Sequence, residues 1–185
     1  MTVAPLLVLV GLMGTGKSAV ARRLSGGDVA LLDTDRIVER DAGCTVREIF
    51  ARDGEEGFRE KEEAALSECL AHNGRAVIAA AGGVVTRPAN REALRSARES
   101  GRAWVVWLRT DTQELVERVS RGGHRPLLDE DPEGTLRRLS AERSPLYAEV
   151  ADLAVDTSGR TLDDVAALVR AGYAGAHGEW VVEDE

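Results

Sequence analysis

An unbroken apolar run from Leu6 to Val10 leads straight into Gly11-Leu-Met-Gly-Thr-Gly16-Lys17-Ser18, and few folds accommodate that junction. A run apolar at every position reads as a strand buried on both faces, which belongs in a parallel sheet with helices on either side. The glycines let the backbone curl so that successive N–H groups point inward, a concavity suited to anions. The spacing G-x-x-x-x-G-K-[ST] then sets a lysine and a hydroxyl at the mouth of the next helix, whose positive end points at the same place. A chance glycine turn is the plainer alternative, but the strand before the motif and the helix after it are the context that a phosphate loop requires. Gly14, Thr15, Gly16, Lys17, Ser18 and Ala19 are therefore expected to hold the phosphates of ATP. Lys17 would reach the β- and γ-phosphates, and Ser18 would offer its hydroxyl to Mg²⁺.

Composition sharpens the lysine. Of 24 basic residues among 185, only Lys17 and Lys61 are lysines. A chain that writes arginine almost everywhere keeps a lysine in the one loop where a compact point charge is useful. The net charge of -8 argues against nucleic acid as a partner, because such binding leaves a basic footprint. Anionic ligands must be held by local arginines and backbone N–H groups. No run approaches the ~18 apolar residues of a membrane span, and the apolar start lacks the positive region of a cleavable signal. A cytoplasmic protein is expected. Cys44 and Cys69 lack metal-ligand spacing and read as core or half-buried thiols.

Strand-like and helix-like segments alternate along the chain, so the expected class is α/β, with a central, mostly parallel five-stranded sheet between layers of helices. Strands are expected at residues 6–10, 29–32, 76–81, 103–108 and 153–155. Helices are expected at residues 18–24, 88–98, 132–147 and 162–169. Thr45 and Glu48 form a capping-box signature opening a short helix, and Phe58, Ala65, Leu66, Cys69 and Leu70 stripe a longer one. Thr110 and Gln113 are expected to cap another. Gly122, Gly123, Pro126 and clustered charge mark residues 121–131 as a mobile loop. Residues 1–170 read as a single domain, and 171–185 as a frayed acidic tail.

Leu31-Leu-Asp33-Thr-Asp35 sets two carboxylates at the C-terminal end of a strand, the edge where open α/β sheets bind ligands. Residues two apart project to the same side. One carboxylate can serve the metal shell while the other receives a substrate hydroxyl proton, although Asp35 could also simply cap the next helix.

The phosphate loop, the Asp-x-Asp pair, Phe58-Arg59 and the Gly82-Gly83 turn together resemble the shikimate kinase family, in order and spacing, from Leu6 to about Val169. The resemblance implies a three-layer P-loop kinase fold, with a substrate-binding helical part at about 34–62. It also implies transfer of the γ-phosphoryl group of ATP to the 3-hydroxyl of shikimate. Asp33 would then be a metal-side aspartate, with Ser18, and Asp35 would orient or deprotonate the attacking hydroxyl. Arg59 and Arg143 would clamp the substrate carboxylate, a task suited to forked guanidinium donors. Gly82 and Gly83 would contact substrate through their backbone. The family usually has a third glycine where this chain has Ala81, a change that costs little in β backbone and much at positive φ.

Arg125-Pro-Leu-Leu128 resembles the family's lid, with Arg125 reaching across the phosphates in the manner of an arginine finger. Arg118 would stack on adenine and Arg160 would lie near the nucleotide. Leu162 stands where the family often has proline. His124 reads as an ordinary polar loop residue. Two other readings remain: a gluconate or nucleoside monophosphate kinase of the same fold class, and a nucleotide-binding module that no longer catalyses. A monomer is expected, since no exposed apolar stripe is apparent.

Overall fold

The computed structural model describes residues 5–120, 131–180 and 182. Five strands form one sheet in the order β2-β3-β1-β4-β5. They are β1 (Leu6–Val10), β2 (Ala30–Asp33), β3 (Ala76–Ala79), β4 (Ala103–Arg109) and β5 (Leu153–Asp156). Every pairing between neighbours is parallel. The central strand β1 has no exposed side chain. Leu6, Val8 and Val10 enter the core on one face of the sheet, and Leu7 and Leu9 enter the core on the other. That alternation explains why the run is apolar at every position.

The smaller face is covered by α1 (Lys17–Leu24) and α7 (Leu162–His177), through Val20, Ala21, Leu24, Val165, Val169 and Tyr173. The larger face carries α2 (Thr34–Ala42), α3 (Val46–Leu70), α4 (Pro88–Glu99), α5 (Thr112–Ser120) and α6 (Pro132–Val150). The result is a three-layer sandwich whose strands all point their C-terminal ends toward the loops carrying the motifs.

Local chemistry sets the helix starts. Thr45 and Glu48 close a full capping box on α3, and Thr161 and Asp164 close another on α7. Asp131 accepts from the Gly134 N–H at the start of α6, with Pro132 in the first turn, where its missing N–H costs nothing. Gly54 (φ 70°, ψ -173°) interrupts α3, so the short helix and the longer one expected here meet at a kink.

Two expectations need correction. The side chain bonded to the first turn of α5 belongs to Asp111, which accepts the Gln113 N–H at 2.8 Å. The Thr110 hydroxyl instead pairs with that of Thr157, 2.7 Å away. The chain end also stays packed past residue 171. Tyr173 is fully buried with its ring edge-on to Trp104, and Gly172 has no side chain because a Cβ there would sit 2.5 Å from Leu153. Trp180 is 4% exposed, donates its indole N–H to the Leu24 carbonyl at 2.9 Å, and lies under the Arg75 guanidinium. Composition suggested fraying, but aromatic anchors spaced along a glycine- and alanine-rich helix hold it down. Among the described residues, no helix is long and apolar enough to cross a membrane.

Candidate active site

The loop between β1 and α1 is shaped by glycines that no other residue could replace without strain. Gly11, Gly14 and Gly16 have φ of 144°, 85° and 90°. A Cβ on Gly11 would also stand 2.2 Å from the Leu108 carbonyl oxygen. Gly16 is the N-cap of α1 and puts no side chain over that helix end, where the helix dipole favours an anion. The Lys17 Nζ folds over the loop and donates to the Gly11 and Leu12 carbonyls, each at 2.8 Å. Thr15 is buried and bonds the Leu12 carbonyl, bracing the curl from inside.

At the end of β2 the Ser18 hydroxyl donates to Asp33 Oδ2 at 2.8 Å. The same carboxylate caps α2, accepting the Asp35 N–H at 3.1 Å through its other oxygen. Asp33 is thus the helix cap, and Asp35, in the first turn of α2, presents an exposed carboxylate to the neighbouring cavity. Among the described residues there is no cluster of three metal-ligating side chains. A hydroxyl beside one carboxylate nevertheless fits Mg²⁺, which takes most of its ligands from water and phosphate oxygens.

Next to the phosphate loop lies a cavity of about 440 Å³ that brings together Met13, Asp35, Arg59, Glu62, Ala81, Gly82, Gly83 and Arg143. Both arginines are 6% exposed. Arg59 donates from Nη1 to Glu62 at 2.5 Å and from Nη2 to Glu55 at 3.1 Å. Burial works against its charge, but Glu62 and Glu55 more than offset this, leaving its pKa above the usual value. Burial pushes the Glu62 carboxyl up, Arg59 pulls it back, and the nearby Asp35 charge adds to the rise. Arg143 comes from α6 and donates to the Gly82 carbonyl at 3.1 Å.

The glycine turn has its own reason for lacking side chains. A Cβ on Gly83 would fall 1.8 Å from Arg59 Nη1, so the guanidinium occupies the space a side chain would need. Ala81 raises no such conflict: every positive φ among the described residues belongs to glycine, so its methyl sits on unstrained backbone. Its N–H donates to the buried Thr34 hydroxyl at 2.8 Å, tying the turn to the start of α2.

A second cavity, about 420 Å³, opens on the other flank of the phosphate loop and is lined by Gly14, Thr15, Gly16, Arg118, Arg160 and Leu162, among others. Arg118 is fixed there by Glu114 at 2.6 Å and the Thr157 carbonyl at 2.9 Å. Arg160 donates to the Asp156 carbonyl, and Leu162 is 40% exposed at the rim. Ala19 follows Ser18 in the first turn of α1 and donates its N–H to the Gly16 carbonyl at 3.0 Å. Arg125, His124 and the lid expected at 121–131 lie outside the described residues, apart from Asp131 itself.

Sequence reasoning passed over Glu62, Thr34 and Tyr147. Tyr147 is fully buried, and its hydroxyl donates to the same Gly82 carbonyl at 2.5 Å that Arg143 uses. Burial raises its pKa well above the usual phenol value. The only textual signal for Glu62 was its place three residues after Arg59, one helical turn along the same face.

Comparison with known proteins agrees with this geometry. The family model described as shikimate kinase matches residues 13–171. The shikimate kinase of Symbiobacterium thermophilum is 46% identical over 167 residues, covering 88% of this chain and 92% of the relative. That of Pseudomonas entomophila is 46% identical over 157 residues, covering 83% and 87%. A solved shikimate kinase from Acinetobacter baumannii in complex with shikimate superposes with a TM-score of 0.82 at 38% identity, covering 91% of this chain and 92% of that one. A gluconokinase from Sinorhizobium meliloti, 18% identical with a TM-score of 0.59, shares the fold alone. The model match spans the phosphate loop from Met13 onward, both carboxylates, both buried arginines and the glycine turn, and on that ground the chain belongs to the shikimate kinase family.

Proposed function

We propose that this chain transfers the γ-phosphoryl group of ATP to the 3-hydroxyl of shikimate, giving shikimate 3-phosphate in the chorismate route to aromatic amino acids. The observation that carries this reading is the cavity beside the phosphate loop, whose lining brings together an exposed carboxylate, Asp35, two buried arginines and the glycine turn. Such a site suits a small acid that carries hydroxyls and one carboxylate. Arg143, buried and donating to the neutral Gly82 carbonyl, offers its charge to an anionic ligand, with the Arg59 guanidinium in the same cavity.

Each residue then has a task. Arg59 and Arg143 clamp the carboxylate and fix the ring, and Gly82 and Gly83 let the backbone approach it. Asp35 accepts a hydrogen bond from the reacting hydroxyl and orients it or takes its proton. Lys17 turns from the loop carbonyls to the β- and γ-phosphates, and the N–H groups of residues 14–19 hold the rest. Ser18 and Asp33 would hold Mg²⁺, which when bound would supply neutralisation of the phosphate charge. Arg118 and Leu162 flank adenine, with Arg160 nearby, and Arg125 supplies a further positive charge at the transferring group. Most of the acceleration comes from positioning and charge neutralisation, as phosphoryl transfer requires little covalent help. The protein works as a cytoplasmic monomer, with residues 1–170 as its single domain, residues 34–62 as the substrate-binding part and residues 121–131 as its lid.

Phosphorus NMR of a mixture with Mg²⁺-ATP and shikimate tests the reading. The expected result is a new phosphomonoester signal growing with ADP. ADP and inorganic phosphate alone, without a phosphomonoester of shikimate, would refute it.

A further inference from the structure

The two arginines of the clamp are not equally open. Arg143 donates to a neutral carbonyl, that of Gly82. Arg59 has both terminal nitrogens directed at carboxylates, Glu62 at 2.5 Å and Glu55 at 3.1 Å. The two acids differ in their freedom to leave. The Glu62 side chain is 2% exposed and would become an uncompensated buried charge without Arg59. The Glu55 side chain is 65% exposed and stands at the rim, immediately after the Gly54 kink in α3. It also lines a neighbouring cavity of about 310 Å³ that contains Thr135 and Arg138, so it has a polar surface to turn toward.

We propose that Glu55 is an internal stand-in for the substrate carboxylate: it occupies the outward nitrogen of Arg59 until the substrate's own carboxylate displaces it. Glu55 thereby keeps the guanidinium in place over Gly83 and sets the affinity for anionic substrates. The inference rests on the reading of Arg59 as part of the carboxylate clamp. A ligand without a negative charge has nothing with which to displace Glu55, so the competition is selective. It weakens the binding of shikimate and leaves the binding of an uncharged analogue unaffected.

The test compares the parent protein with Glu55→Gln by calorimetric titration and by steady-state turnover, using shikimate and its uncharged methyl ester. Glutamine preserves size at an exposed site, and a melting curve checks that the variant is folded. The dissociation constant and KM for shikimate are expected to fall about 2- to 5-fold, the range an exposed ion pair supplies, while kcat stays within about 2-fold and binding of the ester does not change. An unchanged or weaker affinity for shikimate in the variant would overturn the proposal, as would an equal shift for acid and ester. If the parent protein itself neither binds nor turns over shikimate, the proposed function fails first and this inference goes with it.

Discussion

Gly83 shows how one absent side chain can bear on function. The space beside its Cα is filled by Arg59, so an added methyl would lie 1.8 Å from Nη1 and 2.5 Å from Cζ of the guanidinium. The obstructing atoms form the end of a side chain, but moving them also draws the guanidinium away from the buried Glu62, so stability and the proposed clamp are both touched. Gly83→Ala is expected to melt below the parent protein and to raise KM for shikimate by about tenfold or more, as for a displaced charge-assisted contact. Steady-state kinetics and a thermal scan decide it: a large loss of stability with unchanged KM would mean that the glycine serves packing alone. Cys69 illustrates the opposite case, a reactive group removed from chemistry. Burial pushes its thiol from 9.0 up to about 12, and Cys44 is only half-buried. A maleimide at pH 8 should modify Cys44 and leave Cys69 untouched until the protein unfolds. The linkage has a definite sign. A thiol harder to ionise in the fold contributes fully below its ordinary pKa of 9.0, and that contribution is lost as pH rises toward about 12.

Among the elements, α7 and the segment after it differ most from what the sequence suggested. Trp180 packs against Tyr173, its indole N–H is bonded to the C-terminal end of α1, and Arg75 covers its face. Since α1 begins at the glycine-rich loop after β1, this staple steadies the helix that opens the proposed phosphate site. Deleting residues 180–185 should reduce stability by about 3 kcal/mol, the lower end for loss of a buried tryptophan, read from a urea midpoint at unchanged slope. A truncated protein as stable as the parent would support the frayed tail that composition implied. Elements whose signals are local were readable in advance: the strand into the phosphate loop, the Thr45–Glu48 cap and Asp131-Pro132. Those settled by distant partners were not. Nothing near Thr34 in the text announces that its hydroxyl will take the Ala81 N–H, 47 positions away. Nor does anything near Tyr147 announce Gly82, 65 positions away. The same limit applies to the site: Asp33 was set beside Ser18 only through the family resemblance, and the neighbours that hold Arg59 and Arg143 in place appear only with tertiary contacts.

Over the whole molecule, a parallel sheet brings the ends of three strands to one edge. The loop after β1 supplies the proposed phosphate site, the end of β2 supplies Ser18's carboxylate partner, and the segment after β3 supplies the glycine turn. α6 then returns along the larger face to bring Arg143 onto that turn. The chain carries a net charge of -8, so attraction for two anionic substrates is a property of these few groups and not of the overall field. Substitutions that add acid elsewhere on the surface should therefore matter far less than the loss of one clamping arginine. The most direct test is a coupled assay of ADP release with Mg²⁺-ATP and a panel of shikimate, gluconate and nucleoside monophosphates, run on the parent protein and on Arg143→Ala. The account predicts turnover that depends on shikimate and falls by at least about 100-fold in kcat/KM in the variant, the scale of a lost buried charge pair. Turnover with gluconate or a monophosphate in place of shikimate, or ATP binding without turnover on any acceptor, would contradict it.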